Sequence, residues 1–150
     1  MTSNKFECLR RVKAVEREHS ALCYAADYLL DIVRQDPIIL GRVLRVRDIQ
    51  DAAGRLEGTY IIRLFAEFET GLRAFWRASR GPRSPSRTRD LLDSVGAKRK
   101  VPDDAIMHAH SVREFRNALI HERDDDVAPV PIAIARHNLC VFLGFLPTQW

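Results

Sequence analysis

The chain has 150 residues and an apolar fraction of 46%, which is enough to bury one core, and no Gly- or Ser-rich linker divides it. We therefore expect a single domain over residues 1–150. The formal net charge of +4 is compatible with a polyanionic partner without requiring one. The three cysteines show no C-x-x-C spacing, which argues against a disulfide framework and a zinc site.

Two segments bear on localisation. The first seven residues are polar and lack an apolar stretch, so we expect no signal peptide. The most apolar segment, residues 127–146, contains Pro129, Pro131 and Arg136, and it predicts a core helix in place of a membrane span. We therefore expect a soluble, cytoplasmic protein with no membrane partner.

The first helix is predicted to begin at Asn4 and to end before Pro37. Asn4 is a candidate N-cap, and Glu7 follows three residues later, as in a capping box. Apolar residues then recur at helical spacing until the proline. Residues 38–49 are less regular and predict at most a short helix.

The second long helix is predicted from about Thr59 to Ala78. Gly54 and Gly58 weaken the helical pattern before it. The helix itself is strongly amphipathic, and its apolar stripe is typical of a core helix. The stripe consists of Ile61, Ile62, Leu64, Phe65, Phe68, Leu72, Phe75 and Trp76.

Basic residues dominate the segment from Arg73 to Lys100. It carries nine positive and two negative side chains, a local charge of +7. Residues 80–87 are rich in Gly, Pro and Ser and predict a loop, followed by a short helix over Asp90–Val95 capped by Thr88 and a basic turn at Lys98–Lys100. The stretch is either an ordinary solvated surface or a docking site for RNA phosphates.

Two further helices complete the pattern. One opens at Pro102 or Asp103 and ends around Glu122, because the three aspartates that follow oppose the helix dipole. The last begins at Pro131 and keeps a buried face through Leu146. No segment alternates with period two, so the chain predicts an all-α, up-and-down bundle of four main helices with one or two short extra helices.

The most informative residues lie near the end of the last predicted helix but one, in Arg113-Glu-Phe-Arg116-Asn117-Ala-Leu-Ile-His121. Asn117 and His121 are one turn apart and share a face, and Arg116 is long enough to reach toward it. An arginine, an amide and a histidine in an apolar run can together contact one phosphate.

Arg-Asn-x-x-x-His resembles the signature of the HEPN domains (higher eukaryotes and prokaryotes nucleotide-binding), helical proteins of which many cleave RNA. The resemblance covers residues 5–146 and assigns catalysis to Arg116, Asn117 and His121. It implies RNA as substrate and a homodimer in which two motifs face each other. Proteins of this family often serve as toxins in toxin–antitoxin or phage-defence systems, which implies a neutralising antitoxin protein as a further partner.

The chemistry of RNA cleavage agrees with these residue types. Histidine titrates near pH 6.5 and can transfer a proton to or from the 2′-hydroxyl or the leaving oxygen, while arginine stabilises charge on the phosphate. No cofactor or metal is needed. A single His121 cannot readily serve as acid and base in one step, which a twofold dimer would remedy. Arg113, Arg77 and Arg80 are candidate substrate contacts.

Simpler interpretations remain beside these. His121 is in a favourable place to cap a helix end, and Arg116 is within reach of Glu122 or Asp124 for a surface ion pair. His108 and His110 read as surface histidines. The aspartates at 124–126 read as a solvated turn, not a cation site.

The acids Glu67 and Glu69 either face the motif or pair with Arg63 or Arg73 on their own helix. Beside the nuclease, two other functions therefore stay open. One is a HEPN-like module that binds RNA, a nucleotide or a protein without cleaving. The other is a helical interaction protein in which the arginine and histidine have no joint role.

Overall fold

In a computed structural model, which describes residues 4–121 and 126–150, the chain folds into five α-helices and one 3-10 turn. The helices are α1 (Lys5–Gln35), α2 (Val46–Arg80), α3 (Thr88–Arg99), α4 (Asp103–His121) and α5 (Ile132–Gly144), and the turn spans Pro37–Leu40. The long helices α1, α2, α4 and α5 pack around one core, and α3 lies against α2 and α4. The predicted all-α bundle of four main helices with short extras is confirmed.

The start and end of α1 agree with the sequence pattern. Asn4 caps the helix, because its Oδ1 accepts a hydrogen bond from the backbone N–H of Glu7 at 2.8 Å, and the helix ends two residues before Pro37. The Glu7 carboxylate accepts hydrogen bonds from Arg10 at 2.7 Å and Arg11 at 3.0 Å. These two arginines, Arg10 first, lower the pKa of Glu7 to about 2.

The start of α2 differs from the prediction. The helix begins at Val46, thirteen residues before the expected start at Thr59, and it runs through both Gly54 and Gly58. Each glycine costs about 1 kcal/mol relative to alanine in a helix interior, and tertiary packing routinely outweighs such a cost. Here α2 packs along α1. Similarly, α3 continues to Arg99, beyond the predicted end at Val95.

The core is built from one face of each helix. Phe65, Phe68 and Phe142 are fully buried, and the rings of Phe68 and Phe142 meet edge to face with their centres 5.6 Å apart. The last residues of the chain close the bundle, because Thr148 O accepts a hydrogen bond from Lys5 N at 3.2 Å. No helix in the described part of the chain is long and apolar enough to cross a membrane.

Gly71 marks a close approach of α1 to α2, and its substitution tests this packing. A Cβ at Gly71 would lie 2.8 Å from Cys8 Sγ and 3.3 Å from Cys8 Cβ, so the helices would have to shift. We expect Gly71→Ala to lower the free energy of unfolding by about 1–3 kcal/mol in a denaturant titration. Gly54→Ala is the control: nothing lies within 4 Å of its Cβ, so stability should rise by about 0.5–1 kcal/mol. Equal stabilities of the two variants would contradict this packing.

Candidate functional site

Arg116 lies on the side of α4 that packs against α2, and three contacts hold its guanidinium group. The Cζ atom lies 4.8 Å from the centre of the Phe65 ring, Nη2 donates to Glu69 Oε2 at 3.1 Å, and Nη1 donates to Asn117 Oδ1 at 2.8 Å. The side chain is 20% exposed. A guanidinium has five N–H groups, and described residues accept from two of them.

The carboxylate of Glu69 connects three helices. Its Oε1 accepts from Arg73 Nη2 at 2.6 Å and from Thr88 Oγ1 at 3.0 Å, while its Oε2 accepts from Arg116. Arg73 also donates to Ser84 Oγ at 3.2 Å, which ties the loop after α2 to the same group. We call Glu69, Arg73 and Arg116 the Glu69 cluster. Its side chains are 18–24% exposed and carry a net charge of +1, which favours an anion nearby.

The direction of α4 relative to α2 follows from two contacts. Arg116 meets Glu69, whereas Leu119 lies against Gly58, where a Cβ would be 3.4 Å from Leu119 Cδ2. A later residue of α4 thus contacts an earlier residue of α2, so the two helices are antiparallel. The C-terminal end of α4, with His121, lies beside the N-terminal half of α2.

His121 is the last residue of α4, and its side chain is exposed. No hydrogen bond connects it to another residue in the ranges 4–121 and 126–150. Asn117 precedes it by one turn on the same face, and Arg116 is about 7.5 Å away along the helix axis. Within one chain, the structure thus joins Arg116 to Asn117 and leaves His121 separate at the helix end.

Arg116 forms an ion pair with an acid that is distant in the sequence. The candidate acids Glu122 and Asp124 lie outside the described residues, as does Asp125 of the aspartate turn. The observed ion pair connects Arg116 to Glu69, 47 positions away. The two alternatives for Glu69 are both realised, because its carboxylate faces Arg116 of the motif and also pairs with Arg73 on its own helix.

The side chain of Arg113 is mostly buried, which disfavours its predicted role as a substrate contact. Its side chain is 13% exposed, and its Nη2 lies 3.1 Å from Glu114 Oε1. Its Nε is buried and has no hydrogen-bond partner among the described residues. The side chain lines a cleft of about 390 Å³ between α3 and α4, which also contains Arg89 and His110.

His110 departs from the expected surface position. Its side chain is 18% exposed, and its Nε2 lies 2.6 Å from Asp93 Oδ1 on α3. His108, by contrast, is exposed as expected. The sequence could not reveal the His110 contact, because Asp93 belongs to another helix, 17 positions away.

Arg77 and Arg80 lie in the last turn of α2 and are exposed. They follow Glu69 by eight and eleven residues, which places them about 12 and 16 Å from it along the helix axis. Because α4 runs in the opposite direction, His121 lies still farther from them. The structure does not bring these two arginines to the motif.

The basic stretch from Arg73 to Lys100 divides into two groups. Arg73, Lys98 and Arg99 make internal contacts, the last two to the backbone oxygens of Ser79 at 3.5 Å and Phe145 at 3.0 Å. The other six are exposed, and no ion pair connects them to a described residue. These six are Arg77, Arg80, Arg83, Arg87, Arg89 and Lys100.

A cleft of about 470 Å³ lies at the C-terminal end of α4. Its walls come from the N-terminal half of α2, from α4 and from the segment before α5. The lining residues on α2 are Gly54, Arg55, Glu57, Gly58, Thr59 and Ile62, and the others are Phe115, Leu119, Pro129, Val130 and Pro131. We call this space the α2/α4 cleft.

Metal ligation has little support in the described residues. No group of three or more His, Cys, Asp or Glu side chains is placed there to hold a metal ion. The three cysteines are free thiols, and burial raises the pKa of Cys8 and Cys140. They are poorly suited to act as nucleophiles or ligands at neutral pH.

Comparison with known proteins identifies no relative. No protein-family model, curated protein or solved structure matches the chain. The resemblance to the HEPN domains therefore remains a prediction from the motif and the helical architecture.

Proposed function

We propose that the protein is a metal-independent endoribonuclease of HEPN type. The observation that carries the proposal is the arrangement on α4: Arg116 is fixed over Phe65 by Glu69 and Asn117, and His121 is exposed at the end of the same helix. The net charge of +1 on the Glu69 cluster favours a phosphate beside Arg116.

In the proposed reaction, the RNA supplies its own nucleophile. A base removes the proton from a 2′-hydroxyl, and the oxygen attacks the adjacent phosphorus. The bond from phosphorus to the 5′-oxygen then breaks, and an acid donates a proton to that oxygen. The products are a 2′,3′-cyclic phosphate and a 5′-hydroxyl. His121 transfers a proton, and Arg116 stabilises the charge on the phosphorane oxygens. Asn117 orients the side chain of His121 or of Arg116.

A homodimer would complete this site. His121 stands apart from Arg116 in one chain, and one histidine cannot readily be both acid and base. Two copies related by a twofold axis would bring two Arg116 and two His121 side chains to one RNA strand. A toxin role, neutralised by an antitoxin protein that covers this surface, agrees with such an activity.

A non-catalytic binding module is the second candidate, and one contact favours it. Glu69 occupies one edge of the Arg116 guanidinium and competes there with a phosphate. In that case Arg116 would mainly stabilise the fold. The protein would bind RNA, a nucleotide or a partner without turnover.

Incubation of the purified protein with a fluorescent single-stranded RNA in EDTA distinguishes the nuclease from the non-catalytic binding module. The nuclease proposal predicts shortened fragments, and a DNA of the same sequence should stay intact because it lacks the 2′-hydroxyl. RNA that is bound but remains intact would favour the binding module.

A further inference from the structure

We propose that the α2/α4 cleft binds one base of a single-stranded RNA and prefers a base with an exocyclic amine, such as cytosine, over uracil. The inference rests on the proposed function, because the base would belong to the RNA strand that Arg116 and His121 contact. It adds a specificity site that the motif itself does not contain.

The position of the cleft connects it to the motif. Phe115 and Leu119 line the cleft, and Arg116 and His121 follow them by one and two residues on the same helix. The four Cα atoms lie within about 9 Å along the axis of α4; Arg116 leaves the helix about 100° from Phe115, and His121 leaves it about 160° from Leu119. A base in the cleft would keep its own phosphate at this end of α4.

The walls suit a flat aromatic ring. Ile62, Phe115, Leu119 and Val130 are only partly buried, and Pro129 and Pro131 lie beside them. RNA-binding proteins commonly stack splayed-out bases on aromatic and apolar side chains. A volume of about 470 Å³ also lies within the usual range of small-molecule sites.

The polar groups of the cleft give the preference for an amine. Glu57 Oε1 accepts a hydrogen bond from the backbone N–H of Ile132 at 2.9 Å, which fixes the carboxylate. Oε2 has no hydrogen bond to a described residue and can accept one from a ligand. Cytosine carries an N4 amine that donates to a carboxylate, whereas uracil carries a carbonyl oxygen at the same position.

Arg55 supplies the charge that an RNA strand requires. It is exposed, it lines the cleft, and it forms no ion pair with a described residue. An exposed guanidinium at the rim can therefore contact a backbone phosphate while the base lies inside.

Gly54 allows the cleft to be filled without disturbing the core. Gly54 lies inside α2, and no other heavy atom lies within 4 Å of a Cβ built there. Gly54→Leu should therefore fold and occupy the cleft. Ala52→Leu is the matched control, because Ala52 is exposed on the same helix and lines a separate apolar cleft toward α1, not the α2/α4 cleft.

The probes are short oligocytidine and oligouridine strands with 2′-O-methyl groups, which block cleavage, and binding is followed by fluorescence anisotropy. Wild type and Ala52→Leu should bind the cytosine strand roughly tenfold more tightly than the uracil strand, as expected for one hydrogen bond to a charged acceptor. Gly54→Leu should lose this preference and bind both strands weakly.

Glu57→Gln gives a sharper test. Its amide oxygen can keep the hydrogen bond from Ile132, which turns the NH₂ group toward the ligand as a donor. The preference should then shift from cytosine to uracil. An unchanged preference in both Glu57→Gln and Gly54→Leu would overturn the inference.

The outcomes separate this inference from the proposed function. Cytosine-selective binding that Gly54→Leu abolishes would support the cleft even if no RNA is ever cut. Cleavage by Gly54→Leu and Glu57→Gln with wild-type rate and sequence preference would overturn the cleft and leave the nuclease intact. A wild-type protein that binds neither strand would also overturn it.

Discussion

His121→Ala should reduce the rate of RNA cleavage by about 10²–10⁴-fold, the usual contribution of a general acid or base. The fold should be unaffected, because the side chain is exposed and has no hydrogen bond to a described residue. We expect the free energy of unfolding to change by less than about 0.5 kcal/mol. The measurement is a single-turnover cleavage assay beside a thermal melt.

His108→Ala is the matched control for this prediction. His108 is an exposed histidine on the same helix, about three and a half turns earlier, and the proposal gives it no role. It should cleave at the wild-type rate. If the two variants cleave equally well, His121 is not part of the reaction and the position at the helix end is incidental.

Glu69→Ala should be among the most destabilising substitutions on the surface of α2. It removes the acceptor for Arg73, Arg116 and Thr88 and leaves two partly buried guanidinium groups side by side. Leaving buried charges without their partner costs several kcal/mol, and because these side chains are about one fifth exposed we expect about 2–4 kcal/mol. Arg116 would also lose its position, so cleavage should fall together with stability.

Glu67→Ala controls for the loss of an acidic side chain from the same helix. Glu67 is partly buried as well, but no ion pair with a described residue involves it. Its substitution should change the free energy of unfolding by less than about 0.5 kcal/mol in a urea titration. A Glu69→Ala protein as stable as Glu67→Ala would mean that the Glu69 cluster contributes nothing to the fold.

The helix pattern was largely predictable because its signals are local. Asn4 and Pro37 mark the ends of α1, and Pro131 precedes α5, as capping chemistry and backbone restriction require. The start of α2 was not predictable, because Gly54 and Gly58 argue locally against a helix. The packing of this segment against α1 and α4, which are distant in the sequence, outweighs them.

The sequence predicted that the candidate residues share one helix, and it did not predict the residues that contact them. The helical spacing placed Arg116, Asn117 and His121 correctly on one helix. The observed acid is Glu69, whose sequence signal is its position four residues after Phe65, on the apolar face of α2. That position predicts that Glu69 is partly buried, but it does not predict the ion pair with Arg116, 47 residues away.

Attack by the 2′-hydroxyl is best recognised from the mass of the fragments that the wild-type protein and His121→Ala produce from one single-stranded RNA in EDTA. If Arg116 and His121 promote attack by the 2′-hydroxyl, wild type yields 5′-hydroxyl ends and cyclic phosphates, each lighter by one water than a linear phosphate. His121→Ala should leave the RNA intact. Fragments with 5′-phosphate ends, or identical cyclic products from both proteins, would contradict the account.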